Sequence, residues 1–168
     1  MSKNTILIVD DEVINRTILK ESFEGAFSIL EAGNGHEAIE ILKSKSGDIG
    51  AVLLDLLMPG SDGFEVLKFM EYCGLDKEIP VIVITSDDSE GIKKRLSEYR
   101  ISDVLNKPFL PMVISRRTKN LIRIYEDKRK DLEKLSSEIE QLKKENAELK
   151  EKIKGYEKTL KKIEKNFI

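Results

Sequence analysis

The chain has 168 residues, 36% charged and 40% hydrophobic, with a net charge of −2, which leaves room for one domain of ordinary size and an accessory segment. No apolar run approaches the roughly 18 to 20 residues of a membrane helix, and the start lacks the basic-then-apolar layout of a signal peptide, so a cytoplasmic protein is expected. One cysteine, Cys73, and one histidine, His36, exclude an internal disulfide and a Cys/His zinc set, and the acidic total argues against direct nucleic-acid binding.

The total hides a division. Residues 119–168 carry 15 basic and 11 acidic side chains, with no proline and a single glycine, whereas the first 118 hold the remaining 14 basic and 20 acidic ones. The front is net −6 and the tail net +4. Two unlike pieces are expected, residues 1–121 and 122–168.

In chain order, TILIV from Thr5 to Val9 reads as a strand buried on both faces, followed at its carboxyl end by Asp10, Asp11 and Glu12. Similar short apolar runs follow: AFSIL from Ala26, AVLL from Ala51 to Leu54, VIVIT from Val81 to Thr85, and SDVL from Ser102 to Leu105. Between them lie residues at helical spacing: Ile14, Ile18 and Phe23, then Ala38, Ile39 and Leu42, then Phe64, Leu67, Phe69 and Met70. Cys73 reads as a small, partly buried packing residue and His36 as a solvated residue at a helix start. Strands alternating with helices through short connections imply parallel βαβ units. The fold class is α/β, a five-stranded parallel doubly wound sheet of the flavodoxin-like kind, with the last helix extended into a long coiled coil.

Ligands of such sheets sit at the carboxyl ends of the strands. There the sequence delivers Asp10 and Asp11, Asp55, Thr85 and Ser86, and Asn106, Lys107 and Pro108. Clustered carboxylates repel one another unless a cation joins them, and hard oxygen ligands suit Mg²⁺. A carboxylate beside such an ion can attack an activated phosphoryl group and form an acyl phosphate. Asp55 ends a central strand between Leu54 and Leu56, where a plain surface charge is hard to place.

These residues resemble the receiver domain of two-component response regulators, in four ordered motifs: ILIVDDE, DLLMPGSDG from Asp55 to Gly63, ITS ending the fourth strand, and NKPF. The likeness runs from about Lys3 to Leu121. It implies Asp55 as phosphoacceptor, and Asp10, Asp11 and Asp55 as Mg²⁺ ligands together with the Leu57 carbonyl. Thr85 would be the switch hydroxyl, and Lys107 the ion-pair partner of the phosphoryl group, with a cis peptide bond before Pro108. It also implies a sensor histidine kinase or phosphotransfer protein as partner, and chemistry in cis only, the domain phosphorylating and dephosphorylating itself without acting on an external substrate. Leu57 and Asp87 resemble positions that tune the lifetime of the phosphoryl group. Two positions depart from the family pattern. Val104 stands where an aromatic switch residue is usual, and Arg100 and Ile101 replace the small pair that opens the fifth strand, so any rearrangement there must travel by backbone and packing shifts.

The tail reads as helix. A heptad from Leu132 assigns Leu132, Ile139, Asn146, Ile153, Leu160 and Phe167 to a, with Leu135, Leu142, Leu149, Tyr156 and Ile163 at d. Isoleucine at a with leucine at d favours two strands, and Asn146 suits a parallel register. Across a parallel pair, Glu138 would face Lys143, Glu145 would face Lys150 and Lys152 would face Glu157, all attractive. The expected assembly is a parallel homodimer. A second expectation is that the coil is a signalling linker, followed in a longer protein by an output enzyme such as a cyclic-dinucleotide cyclase or phosphodiesterase.

Overall fold

A computed structural model describes residues 3–166. The chain divides into two units, residues 1–127 and 128–168. In the first, β1 (Thr5–Val9), α1 (Val13–Glu21), β2 (Ser28–Ala32), α2 (Gly35–Lys45) and β3 (Ile49–Asp55) follow in order. A two-residue hairpin, β4 (Leu57–Met58) and β5 (Ser61–Asp62), leads into α3 (Gly63–Tyr72) and a short 3₁₀ turn at Leu75–Lys77. Then come β6 (Val81–Thr85), α4 (Glu90–Leu96), β7 (Asp103–Asn106) and α5 (Pro111–Asn166). The main sheet is parallel, in the order β2-β1-β3-β6-β7, so its five strands are the five expected from sequence.

The core explains why the strands read as unbroken apolar runs. Side chains of a strand alternate between its two faces, and here both faces are covered. Leu7, Val9, Val52, Leu54, Val81 and Val83 pack on one side with Ala38 and Leu42 of α2, Phe64, Leu67 and Met70 of α3, and Leu96 of α4. Ile6, Ile8, Leu53, Ile82 and Ile84 pack on the other with Leu19 of α1, Phe23, and Ile114 and Ile122 of α5. Each fully buried Leu, Ile or Val stabilises the sheet by about 1.5–3 kcal/mol relative to exposure, which is why the interiors of the central strands β1, β3 and β6 carry no polar side chain, while the edge strand β2 admits Glu31.

Element boundaries differ from the expected ones where local turns intervene. The second strand begins at Ser28 rather than Ala26, because α1 ends at Glu21 and the chain turns through Gly25 at φ 72°. The amide of Ala26 donates to the Phe23 carbonyl in that turn, and the Phe23 and Phe27 rings meet edge to face at 6.1 Å. Phe23 therefore belongs to the turn and still fills the core. The third strand extends to Ile49–Asp55, so Asp55 is its last residue, and the last strand is shifted by one to Asp103–Asn106. Cys73 is exposed rather than partly buried: it follows the last helical residue of α3, and Gly74, at φ 71°, turns the chain so that Leu75 and Ile79 cover the core instead. His36 is exposed at the start of α2, where the Asn34 side chain caps the helix by accepting from the Glu37 amide.

In the second unit, residues 128–166 are helical and, apart from the partly buried Arg129, exposed. Its apolar residues recur at the expected spacing, with Leu132, Leu135, Ile139, Leu142, Leu149, Ile153, Tyr156, Leu160 and Ile163 each 44–69% exposed. Asn146 lies in the same row, while Phe167 lies outside the described residues. No helix among the described residues is long and apolar enough to cross a membrane.

Gly63 is the tightest glycine next to the site. A Cβ there would stand 2.5 Å from the Asp55 carbonyl oxygen and 2.8 Å from the Leu56 Cα, both backbone atoms that cannot swing aside. Gly63→Ala should lower unfolding stability by about 2 kcal/mol through forced overpacking, measured by urea denaturation.

Candidate functional site

The strand order sets the location. From β1 the chain moves outward to β2, then crosses back over to β3 and continues to β6 and β7. The reversal opens a crevice between the carboxyl ends of β1 and β3. A cleft of about 760 Å³ lies there, lined by Asp11, Asn15, Asp55, Leu57, Ser86 and Lys107 among others.

Asp10 and Asp55 are almost completely buried, 1% and 3% exposed, while Asp11 is half-buried at the mouth. The three carboxylates each offer an oxygen within 4.8 Å of the others. Lys107 comes from the residue after β7, and its Nζ donates to Asp55 Oδ2 at 2.6 Å and to Asp10 Oδ2 at 2.9 Å. Its amide donates to the Thr85 carbonyl, which ties the ends of β6 and β7 together, and the Lys107–Pro108 peptide bond is cis. Asp55 Oδ1 accepts from the Leu57 amide at 3.0 Å. Asp10 Oδ1 accepts from the Glu12 amide, and the Asn15 side-chain amide donates to both Asp10 oxygens.

The electrostatics are unbalanced. Burial pushes the Asp55 carboxyl above its ordinary pKa, and the bonds from Lys107 and the Leu57 amide offset that only in part. Burial alone would lower the Lys107 pKa, but its hydrogen bonds and ion pairs with Asp55 and Asp10 outweigh this and hold it above its ordinary value. One ammonium among three carboxylates leaves an excess of negative charge once all are ionised. Hard oxygen donors with that excess fit a divalent cation such as Mg²⁺.

Thr85, at the end of β6, is 1% exposed. Its hydroxyl accepts from the Asp87 amide at 3.1 Å and lies 3.4 Å from the Asp87 carbonyl, to which it donates. The Asp87 carboxylate is solvated and held below its usual pKa by hydrogen bonds from Ser89. Val104, paired in register with Val83, is 39% exposed and offers no ring to the face of β6 and β7. Asp10, Asp55, Thr85 and Lys107 lie at or next to the carboxyl ends of β1, β3, β6 and β7, with Asp11, Leu57 and Asp87 each two residues past an end.

Several contacts were not expected from sequence. Arg16 of α1 donates from Nη1 to the carbonyls of Asp10 and Asp11. Asn15 grips Asp10, and its position one helical turn past Asp11 is the only signal that could have suggested it. Arg95 of α4 pairs with Asp62 Oδ2 at 3.0 Å and stacks over the Phe64 ring at 3.6 Å, while Asp62 Oδ1 caps α3 through the Phe64 amide. The loop just after Asp55 is thereby fastened to α4, across a sequence separation of 33 residues that no local pattern reveals.

An acidic cluster and a lysine thus meet at the switch point of a flavodoxin-like sheet, an arrangement suited to holding a cation beside a phosphoryl group. The sequence pattern of the response regulator receiver domain matches residues 6–119. The chain belongs to that family and carries its phosphorylatable receiver domain. It is 33% identical over 124 residues to the phosphate regulon transcriptional regulatory protein PhoB of Pseudomonas aeruginosa, covering 73% of this chain and 53% of that protein. It is 36% identical over 123 residues to the transcriptional regulatory protein ResD of Bacillus subtilis, covering 73% of this chain and 49% of that one. The chain thus spans about half the length of the curated relatives it matches. Among solved structures, a CheY-like receiver domain from Methanospirillum hungatei superposes with a TM-score of 0.66 at 21% identity, over 74% of this chain and 98% of that one, which shows the shared fold. A chain of the CheX–CheY–BeF3–Mg²⁺ complex from Borrelia burgdorferi gives a TM-score of 0.62 at 30% identity, over 70% and 87%.

The charge imbalance has a measurable consequence. Because the Asp55 pKa is raised in the fold, its protonated form adds stability below the unfolded pKa, and that contribution is lost as pH rises through the folded value. Asp55→Asn should therefore raise stability at neutral pH in metal-free buffer, with the gain shrinking toward pH 4, as read from denaturant curves at several pH values.

Proposed function

We propose that the chain is a response regulator in which Asp55 accepts a phosphoryl group from the phosphohistidine of a sensor kinase or phosphotransfer protein. The observation that carries this reading is Asp55 itself, buried at the end of β3, bonded to Lys107 and within ligand distance of Asp10 and Asp11. In the transfer, an Asp55 carboxylate oxygen forms a bond to phosphorus while the bond from phosphorus to the donor breaks, and the leaving group takes its proton from solvent. Asp10, Asp11, Asp55 and the Leu57 carbonyl are the residues that would hold Mg²⁺, which when bound neutralises charge on the transferred group. Lys107 supplies a second positive charge beside the same oxygen. Thr85 would leave its bonds with Asp87 and donate its hydroxyl to a phosphoryl oxygen. Leu57 and Asp87, at the rim, would set how readily water reaches the acyl phosphate. The reaction stays in cis, with Asp55 both accepting and losing the group.

Residues 1–121 form the receiver in this reading and residues 122–168 a dimerising helix. The support is the row of exposed apolar residues from Leu132 to Ile163 at alternating spacings of three and four, broken only by Asn146. A parallel partner helix would bury that row and set Glu138, Glu145 and Lys152 against Lys143, Lys150 and Glu157. Receiver and coil would work in the cytoplasm, without direct contact to membrane or nucleic acid. Curated relatives about twice as long as the matched region favour a second reading, in which the coil links the receiver to an output domain, for example a cyclic-dinucleotide cyclase or phosphodiesterase. A reading frame that continues past Ile168 into such a domain would decide for it.

Incubation with acetyl phosphate and Mg²⁺ should shift the protein on phosphate-affinity gels, and Asp55→Asn should abolish the shift; a shift that persists in the variant refutes the assignment. Light scattering should give twice the chain mass at micromolar concentration without phosphorylation. Asn146→Val should raise the melting temperature of the helical signal while admitting higher oligomers, since a buried asparagine trades stability for a single register.

A further inference from the structure

We infer that Arg16 is a positioning residue for the cation site, holding the backbone of the acidic pair in place from behind; this rests on the Mg²⁺ reading given above. Asp10 and Asp11 sit in the short connection between β1 and α1, where no strand partner continues the ladder past the bond from the Asp10 amide to the Ala32 carbonyl. Arg16 lies one turn into α1, its side chain only 15% exposed. Its Nη1 donates to the Asp10 carbonyl at 2.7 Å and to the Asp11 carbonyl at 3.3 Å. Its Nε donates to Glu31 Oε2 at 3.3 Å, and Glu31 Oε1 accepts from Lys20 at 2.9 Å.

Glu31 belongs to β2 and pairs in register with Ile8 of β1, so the guanidinium spans from the sheet to the loop. The two carbonyls it holds belong to the two residues whose carboxylates would bind the ion. Fixing those peptide planes fixes the directions in which both side chains leave the backbone. Without such a brace, the mutual repulsion of Asp10, Asp11 and Asp55 would splay the loop, and a cation would have to reassemble it on binding. The rigid, multi-donor fork of arginine suits this role, because a lysine ammonium on its flexible stem cannot hold two carbonyls and a carboxylate in the same plane. Glu31 supplies the counter-charge that keeps the guanidinium on the β2 side rather than in the cleft.

The test is a titration of the full chain with MgCl2, followed by amide NMR shifts, which report both folding and affinity. Outer-shell changes typically weaken metal binding about 10- to 100-fold, and since Arg16 acts through backbone we expect about tenfold weaker binding for Arg16→Ala. Arg16→Lys should recover little of the loss. Glu31→Gln, on an exposed edge of the sheet and with no contact to the ligands, should weaken binding by a smaller factor. The double variant should bind no more weakly than Arg16→Ala alone, because the two residues form one brace. Unchanged affinity in Arg16→Ala, full recovery with lysine, or effects of the two variants that multiply would each overturn the inference. A fall in melting temperature without a change in Mg²⁺ affinity would do the same, since it marks a purely structural arginine. Should Arg16→Ala fail to fold, unchanged affinity in Glu31→Gln overturns the inference. Wild-type protein that takes up no Mg²⁺ would overturn the metal reading and this inference together, whereas failure in the variants alone leaves the metal reading standing.

Discussion

The Lys107 ammonium, shared between Asp55 and Asp10, is the contact on which the organisation of this domain turns. It joins three strand ends, β1, β3 and β7, through one side chain, and two of its partners are almost fully buried. A single ammonium cannot neutralise Asp10, Asp11 and Asp55 at once. The fold therefore holds a residual negative charge in a desolvated crevice, an arrangement that burial disfavours and that a divalent cation would relieve. The features that make the site unfavourable at rest are the ones phosphoryl transfer can use.

That concentration of charge is affordable because the rest of the receiver is built conservatively. Both faces of the sheet are sealed by helices, and each central strand contributes alternating residues to the two apolar layers. In the central strands β1, β3 and β6 polar side chains stand only at the strand ends, and in a parallel sheet the carboxyl ends lie on the same edge. Asp10, Asp55, Thr85 and Lys107 are thus neighbours because four strands end there. The rigid frame lets the loops between strands and helices carry the functional groups while Arg16, Gly63 and Asp62 restrain them from outside the cleft.

With valine at position 104, that position of the β6–β7 face carries no ring. The loop after Asp55 is connected to α4 by Arg95, which pairs with Asp62 and lies over Phe64, and Phe64 in turn packs against Tyr99 at 5.9 Å. These contacts pack the loop after Asp55 against α4. The charge in the tail has a different job, flanking the apolar row from Leu132 to Ile163 on a helix that has no core of its own.

The strands, their order along the chain and the residues at their ends were legible in the sequence, because buried central strands must be continuous apolar runs and because the change from Leu54 to Asp55 or from Val9 to Asp10 marks where the apolar layers give way to the polar crevice. The heptad row was legible for the same kind of reason, a local period imposed by the helix. What only the tertiary structure decided are contacts between residues distant in sequence: Lys107 on Asp10 and Asp55, Arg95 on Asp62, and Arg16 bridging the acidic pair to Glu31. The start of β2 belongs with these, since Ala26 and Phe27 have strand-like character but are drawn into a turn by Gly25 and by the packing of Phe23. Periodicity records which face of an element is buried. It does not record which side chain another element brings to meet it, because that depends on how the layers are stacked.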